Sequence, residues 1–102
     1  MSRDSDETQV RIWQVIAAIP EGRVTTYGDV ALRAGLPGAA RRVGHVLKQL
    51  PDNTTLPWHR VINAQGRVSL PADAGKRQRR RLEKEGVCFK PGGSVDLQRF
   101  RW

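Results

Sequence analysis

The chain has 102 residues, with 18 Lys and Arg against 10 Asp and Glu, a formal net charge of +8 and a pI near 11.1. That length gives one domain, spanning 1–102, which buries about two thirds of the surface its unfolded chain exposes. The arginine-rich excess favours a polyanion such as nucleic acid. The single cysteine, Cys88, excludes an internal disulfide and a cysteine-rich metal site, and no apolar run nears the roughly 20 residues of a membrane span.

The opening "MSRDSDET" is charged and lacks the apolar core of a signal peptide. The expectation is a cytoplasmic, DNA-associated monomer with no membrane contact, metal or cofactor. Residues 6–19, "DETQVRIWQVIAAI", read as a helix. Val10, Trp13 and Ala17 line one face of it, with Ile12, Ile16 and Ile19 close beside. Ser5 or Asp6 caps its start, and Pro20 and Gly22 end it. "RVT" at 23–25 is a short extended piece. Thr26 then caps a second helix over 27–34, with Asp29 three residues on and Gly35 at its C-terminal cap. Val30, Ala31 and Ala34 face inward.

A third helix is expected over 38–50. Ala40, Val43, Leu47 and Leu50 fall on one stripe, and Arg41, Arg42, His45, Lys48 and Gln49 on the other. Two short helices joined by a glycine turn, the second with a basic outer side, make a helix-turn-helix pattern. The same pattern also describes a plain helical hairpin with a solvated face. "HRVI" (59–62) and "RVSL" (67–70) read as strands around the turn "NAQG". "AGKRQRRRLEKEG" (74–86) is a helix ending at Gly86, with Leu82 as its apolar anchor and six cations on its remaining sides. "VCF" (87–89) is extended, and Cys88 is read as a buried structural residue. In the closing "SVDLQRFRW", Phe100 and Trp102 pack on the domain.

Three fragments carry a resemblance: "IPEGRVTTYGDVALRAGLPGAARRVGHVL" (19–47), "LPWHRVIN" (56–63) and "RLEKEGV" (81–87). The order TYG, AAR-x-VG, P-x-HRV, EG resembles the C-terminal domain of the O6-alkylguanine-DNA alkyltransferases, over roughly residues 8 to 90. In the active enzymes the second residue of P-x-HRV is the cysteine that accepts the alkyl group; here it is Trp58. The chain therefore resembles the alkyltransferase-like proteins, the non-enzymatic branch of that family.

The resemblance implies a single α/β, mostly helical, winged helix-turn-helix domain with short strands. It also implies a protein that binds O6-alkylguanine in duplex DNA from the minor groove and extrudes the base. Extrusion costs a few kcal/mol. The family's intercalating arginine matches Arg41, and the small residues Ala39, Ala40 and Gly44 let its helix approach the duplex. Arg42 and Lys48 stand on the same outer side as DNA contacts. The tyrosine that turns the target phosphate matches Tyr27, at a helix N-terminus where phosphate is favoured. An indole has no nucleophile, so Trp58 is read as a wall of the lesion pocket, with Tyr27 and Ser69. His59 and Glu85 match the relay that activates the cysteine and remain as a structural pair; Arg60 joins an ion pair. Binding without removal needs a handover, and the resemblance implies that it goes to nucleotide excision repair.

The sequence departs from the family at two places. Leu50 stands, on an ungapped count, at the enzymes' asparagine hinge, with Asn53 nearby. Pro71 stands where some alkyltransferase-like members carry an arginine in the lesion loop. A rival from another class is a small helix-turn-helix transcriptional regulator, which would prefer one undamaged site and ignore lesions.

Overall fold

Three isoleucines begin the core. The computed structural model describes residues 3–102, with side chains from residue 7 on. The first helix, α1, spans Arg3–Ala17. Ile12 and Ile16 are fully buried along it, and Ile19 follows them. The flanking stripe is not buried: Val10 is 45% and Trp13 36% exposed, and Ala17 is also exposed. This corrects the sequence reading. Positions 12, 16 and 19 sit at helical spacing along one line, whereas 13 and 17 lie about 100° round the helix from 12 and 16. A narrow apolar stripe is all that the neighbouring helices cover. The amides of Ala18 and Ile19 bond three residues back, to Val15 and Ile16, which tightens the end ahead of Pro20. The cap assigned to Ser5 or Asp6 lies outside the residues whose side chains are described.

Strand β1 (Thr25–Thr26) leads into α2 (Tyr27–Arg33). Thr26 caps α2 as expected, its hydroxyl accepting from the Asp29 amide at 3.1 Å. Gly35, at φ 77°, closes it with paired bonds from Gly35 N–H to Leu32 O and from Leu36 N–H to Ala31 O. The left-handed glycine makes this two-bond cap possible. Gly38, at φ 83°, delays the third helix, α3, which spans Ala40–Lys48 and not 38–50. Val43 and Val46 are its buried residues, while Ala40, Leu47 and Leu50 are half-buried.

A 3₁₀ turn, Trp58–Arg60, comes before strand β2 (Val61–Ile62). β2 pairs with β1 in parallel, Thr25 beside Val61 and Thr26 beside Ile62. The expected hairpin with 67–70 does not form. Asn63 Oδ1 accepts from the Gln65 amide at 3.0 Å and the Arg67 amide at 2.9 Å. The side chain thereby curls the backbone into a closed turn. Gly66 O accepts from Val95 N–H at 2.8 Å, so that segment's pairing goes to the C-terminal chain.

Helix α4 spans Ala72–Lys84, starting two residues before the expected 74, and Gly86 (φ 90°) ends it. Its inward side is Gly75, Gln78 and Leu82, at spacings of three and four. A Cβ on Gly75 would lie 2.5 Å from Leu70 O, so only glycine lets α4 sit this close to residue 70. One further turn, α5 (Leu97–Phe100), brings the chain end back. Val24 N–H donates to Phe100 O and Trp102 N–H to Val24 O, at 2.9 and 2.8 Å. Phe100 is buried and Trp102 partly so, as expected. Cys88 is not: it is exposed, because Val87 and Phe89 take the inward positions of this extended piece and alternation turns residue 88 outward.

The sheet divides two cores. Val61 belongs to the cluster built from α1, α2 and α3, and its neighbour Ile62 to the cluster of Val24, Leu82, Val87, Val95 and Phe100. Successive strand residues point to opposite faces, so two residues of β2 tie both halves together. The domain is mostly helical, with a helix-turn-helix at α2–α3. Among the described residues no helix is long and apolar enough to cross a membrane.

Candidate nucleic-acid interface

Burial of Val43 and Val46 turns the other side of α3 to solvent. Arg41, Arg42, His45, Lys48 and Gln49 are all exposed. Beside this basic face opens a cleft of about 650 Å³, within the range of roughly 300–1,000 Å³ usual for small-ligand sites. Ala40, Arg41, Gly44 and Lys48 form its α3 wall. Tyr27, Trp58 and Ser69 reach it from three other segments. Ala39 and Arg42 do not line it: Ala39 packs against the core and Arg42 points to solvent.

Tyr27 is the first residue of α2, placed by the Thr26 cap. Its hydroxyl is 3.0 Å from Ser69 Oγ, bridging the helix-turn-helix and the loop after β2. A Cβ on Gly44 would touch the Tyr27 ring at 3.9 Å, so the small residue leaves the ring open to the cleft. Pro71 also lines the cleft. Ala72, at φ 46°, bends the chain from that loop into α4. A non-glycine residue in this region costs on the order of 1–3 kcal/mol.

Trp58 is half-buried and opens the 3₁₀ turn, its amide held by Leu56 O at 2.8 Å. Its ring stands edge-on to His59, with centroids 6.2 Å apart and planes at 89°. The Arg81 guanidinium lies 5.5 Å over the indole. The turn is secured by Gln78, whose Nε2 donates to His59 O at 3.0 Å and Val61 O at 2.9 Å. Sequence reading missed Gln78 as a cleft residue. Its signal was there: it is the one uncharged side chain in "KRQRRR", four positions before Leu82. His45 and Val61 also line the cleft without having been assigned to it.

His59, Arg60 and Glu85 meet in one cluster outside the cleft wall. His59 Nε2 lies 2.7 Å from Glu85 Oε2. Arg60 grips the same carboxylate with Nε at 2.9 Å and Nη2 at 2.8 Å. Gly22 N–H donates to Oε1 at 3.1 Å, and Arg60 Nη1 to Ile19 O at 2.7 Å. The expected structural ion pair is thus a five-residue clamp joining the end of α1, the 3₁₀ turn and the end of α4. Burial works to raise the Glu85 carboxyl, but the Arg60, His59 and Gly22 bonds outweigh it and hold it at about 2, against an ordinary 4.5. Burial lowers His59 below its ordinary 6.5, against the opposing pull of Glu85. A neutral His59 facing an ionised carboxylate must donate from Nε2. Its buried Nδ1, which has no partner, is then a bare acceptor.

Both shifts give stability that acid removes. Glu85 contributes fully above pH 4.5, and its share is lost as pH falls toward 2; His59 adds a loss below 6.5, where the unfolded imidazole takes up a proton first. We expect unfolding free energy to fall by roughly 2–3 kcal/mol from the Glu85 share between pH 5 and 2. Urea melts at pH 7, 5 and 2 measure it. The Glu85→Gln variant should be less stable at pH 7 and flatter across the acid range. A variant with the wild-type acid slope would show that the clamp does not couple to protons. Among the described residues no group of three or more His, Cys, Asp or Glu could hold a metal ion.

The profile described as 6-O-methylguanine DNA methyltransferase, DNA binding domain, matches residues 7–87. The chain is 58% identical over 97 residues to the DNA base-flipping protein of Escherichia coli (strain K12), covering 95% of this chain and 75% of that one. It is 45% identical over 84 residues to Alkyltransferase-like protein 1 of Schizosaccharomyces pombe, covering 80% and 78%. The crystal structure of S. pombe Atl1 in complex with damaged DNA containing O6-carboxymethylguanine superposes with a TM-score of 0.83 at 38% identity, over 95% of each chain.

Proposed function

The chain belongs to the 6-O-methylguanine DNA methyltransferase family through its DNA-binding domain, and we propose that it recognises O6-alkylguanine in duplex DNA without removing the alkyl group. Relatives named for base flipping and alkyltransferase likeness support this reading, as does a relative's complex with damaged DNA. The observation that carries it is Trp58. The P-x-HRV resemblance sets this residue where the active enzymes carry cysteine, and here an indole lines the cleft, beside His59 with its unpartnered Nδ1.

Each step has a residue. α3 brings its basic face to the duplex, and Arg41 enters the stack as the base leaves. Tyr27, at the start of α2, meets the turning phosphate. The extruded guanine lies in the cleft against Trp58, where stacking on an aromatic ring is worth about 1–3 kcal/mol. Without a thiolate no bond forms to the alkyl carbon. The protein remains on the lesion as a mark, and the class of partner that must follow is nucleotide excision repair. A pull-down from alkylated cells should recover such proteins, and a blank recovery ends that part of the proposal.

The decisive experiment compares two duplexes at one stated salt concentration, identical except for a plain or an O6-methylated guanine. The methylated duplex should bind more tightly and keep its methyl group. Equal affinity would make this a general DNA-binding domain, and a methyl found on the protein would make it an enzyme.

A further inference from the structure

Trp58 lines two recesses. The second, of about 520 Å³, shares Leu47, Lys48, Trp58 and Leu70 with the cleft and continues from them toward α4. Its chemistry is different. Arg77 and Arg81 line it together with Lys48, against one carboxylate, Asp52. Positions 77 and 81 are four apart on α4 and so lie on one face, and Ala74, one turn before Arg77, lines the recess with them. Both arginines are exposed. Among the described residues the α4 arginine with an ion pair is Arg79, to Glu83 at 3.6 Å, and neither Arg77 nor Arg81 has a carboxylate in reach. The Arg81 guanidinium is parked over the Trp58 ring, at the border between the two recesses.

We propose that this second recess is a subsite for the distal end of an O6 substituent and that it selects negatively charged groups. It rests on reading the first cleft as the lesion pocket. A methyl group ends at the indole. A longer chain passes its edge and reaches two unpaired guanidiniums, whose planar forks suit a carboxylate. An anion there also relieves the mutual repulsion of two like charges four residues apart. The competing occupant is a backbone phosphate. The apolar lining of Leu47, Leu50, Leu70 and Trp58 suits the alkyl linker that would carry a carboxylate into the recess, whereas a backbone phosphate brings no apolar group to cover it.

The test uses four duplexes at one salt concentration: plain guanine, O6-methylguanine, an O6-carboxyalkylguanine and the uncharged amide of the same length. The wild-type protein should favour the acid over the amide by about tenfold, the scale of a charge-assisted hydrogen bond that stays partly solvated. Arg77→Gln and Arg81→Gln should each bring that ratio toward one. Arg77 does not line the first cleft, so Arg77→Gln should leave binding of the O6-methyl duplex unchanged. Equal wild-type binding of acid and amide overturns the subsite. So does an equal loss on all four duplexes in the variants, which would place a phosphate on the arginines. A wild-type protein that does not separate O6-methylguanine from guanine fails at the first cleft instead, a distinguishable result that removes the subsite with it.

Discussion

A Trp58→Cys variant takes a methyl group from O6-methylguanine onto its own sulfur. The parts for that step are in place around residue 58. His59 follows it directly, is held through Nε2 by the ionised Glu85 at 2.7 Å, and keeps an unpartnered acceptor at Nδ1. Nδ1, directly or through one water, takes the thiol proton; the thiolate forms the S–C bond, the C–O6 bond breaks, and the proton passes on to the guanine. Intact-protein mass spectrometry after incubation with the lesion duplex should show one added methyl per molecule. In that background His59→Ala should slow the transfer by about 10²–10⁴-fold, the usual weight of a positioned base. Lesion binding by the variant is the control for folding. A variant that binds the lesion and never gains the methyl would mean that side chain 58 does not reach the alkyl carbon.

Arg41→Ala should weaken binding to the O6-methyl duplex by about 1–3 kcal/mol, the range for a good arginine–base contact. Arg41 is exposed on α3 and lines the cleft entrance, where it can fill a vacated stack. Titrations on both duplexes separate two roles. A loss larger on damaged than on plain DNA identifies a residue that stands in for the base. A small and equal loss, with a shallower salt dependence, identifies a phosphate contact.

Local signals in the sequence carried most of the helical frame. Thr26 with Asp29, and the glycines at 35 and 86, name their helix ends because capping is decided within a few residues. The α2–α3 unit was legible for the same reason. What failed depended on distant partners. β-branched runs at 59–62 and 67–70 look like a hairpin, yet only Val61 and Ile62 pair, with Thr25 and Thr26 across the helix-turn-helix. The face of α1 was misread because two apolar stripes compete, and only the packing of α2 and α3 decides between them. At the site, the motifs singled out Tyr27, Arg41 and Trp58, and the fold brings them to one cleft together with Ser69 from the loop after β2. Gln78 and the second recess were hidden, since a turn of α4 meets them from nearly twenty residues further along the chain.

The clamp at Glu85 has a consequence for descent. One carboxylate accepts from Gly22, His59 and Arg60 and so joins three separate parts of the fold. Whatever stands at position 58, His59, Arg60 and Glu85 cannot be replaced singly without leaving a largely buried partner unpaired. On the reading proposed above, selection for a folded protein alone would keep a histidine–glutamate pair beside a position that carries no thiol. Tryptophan and cysteine codons differ at a single nucleotide, so the route between reader and enzyme stays open in both directions.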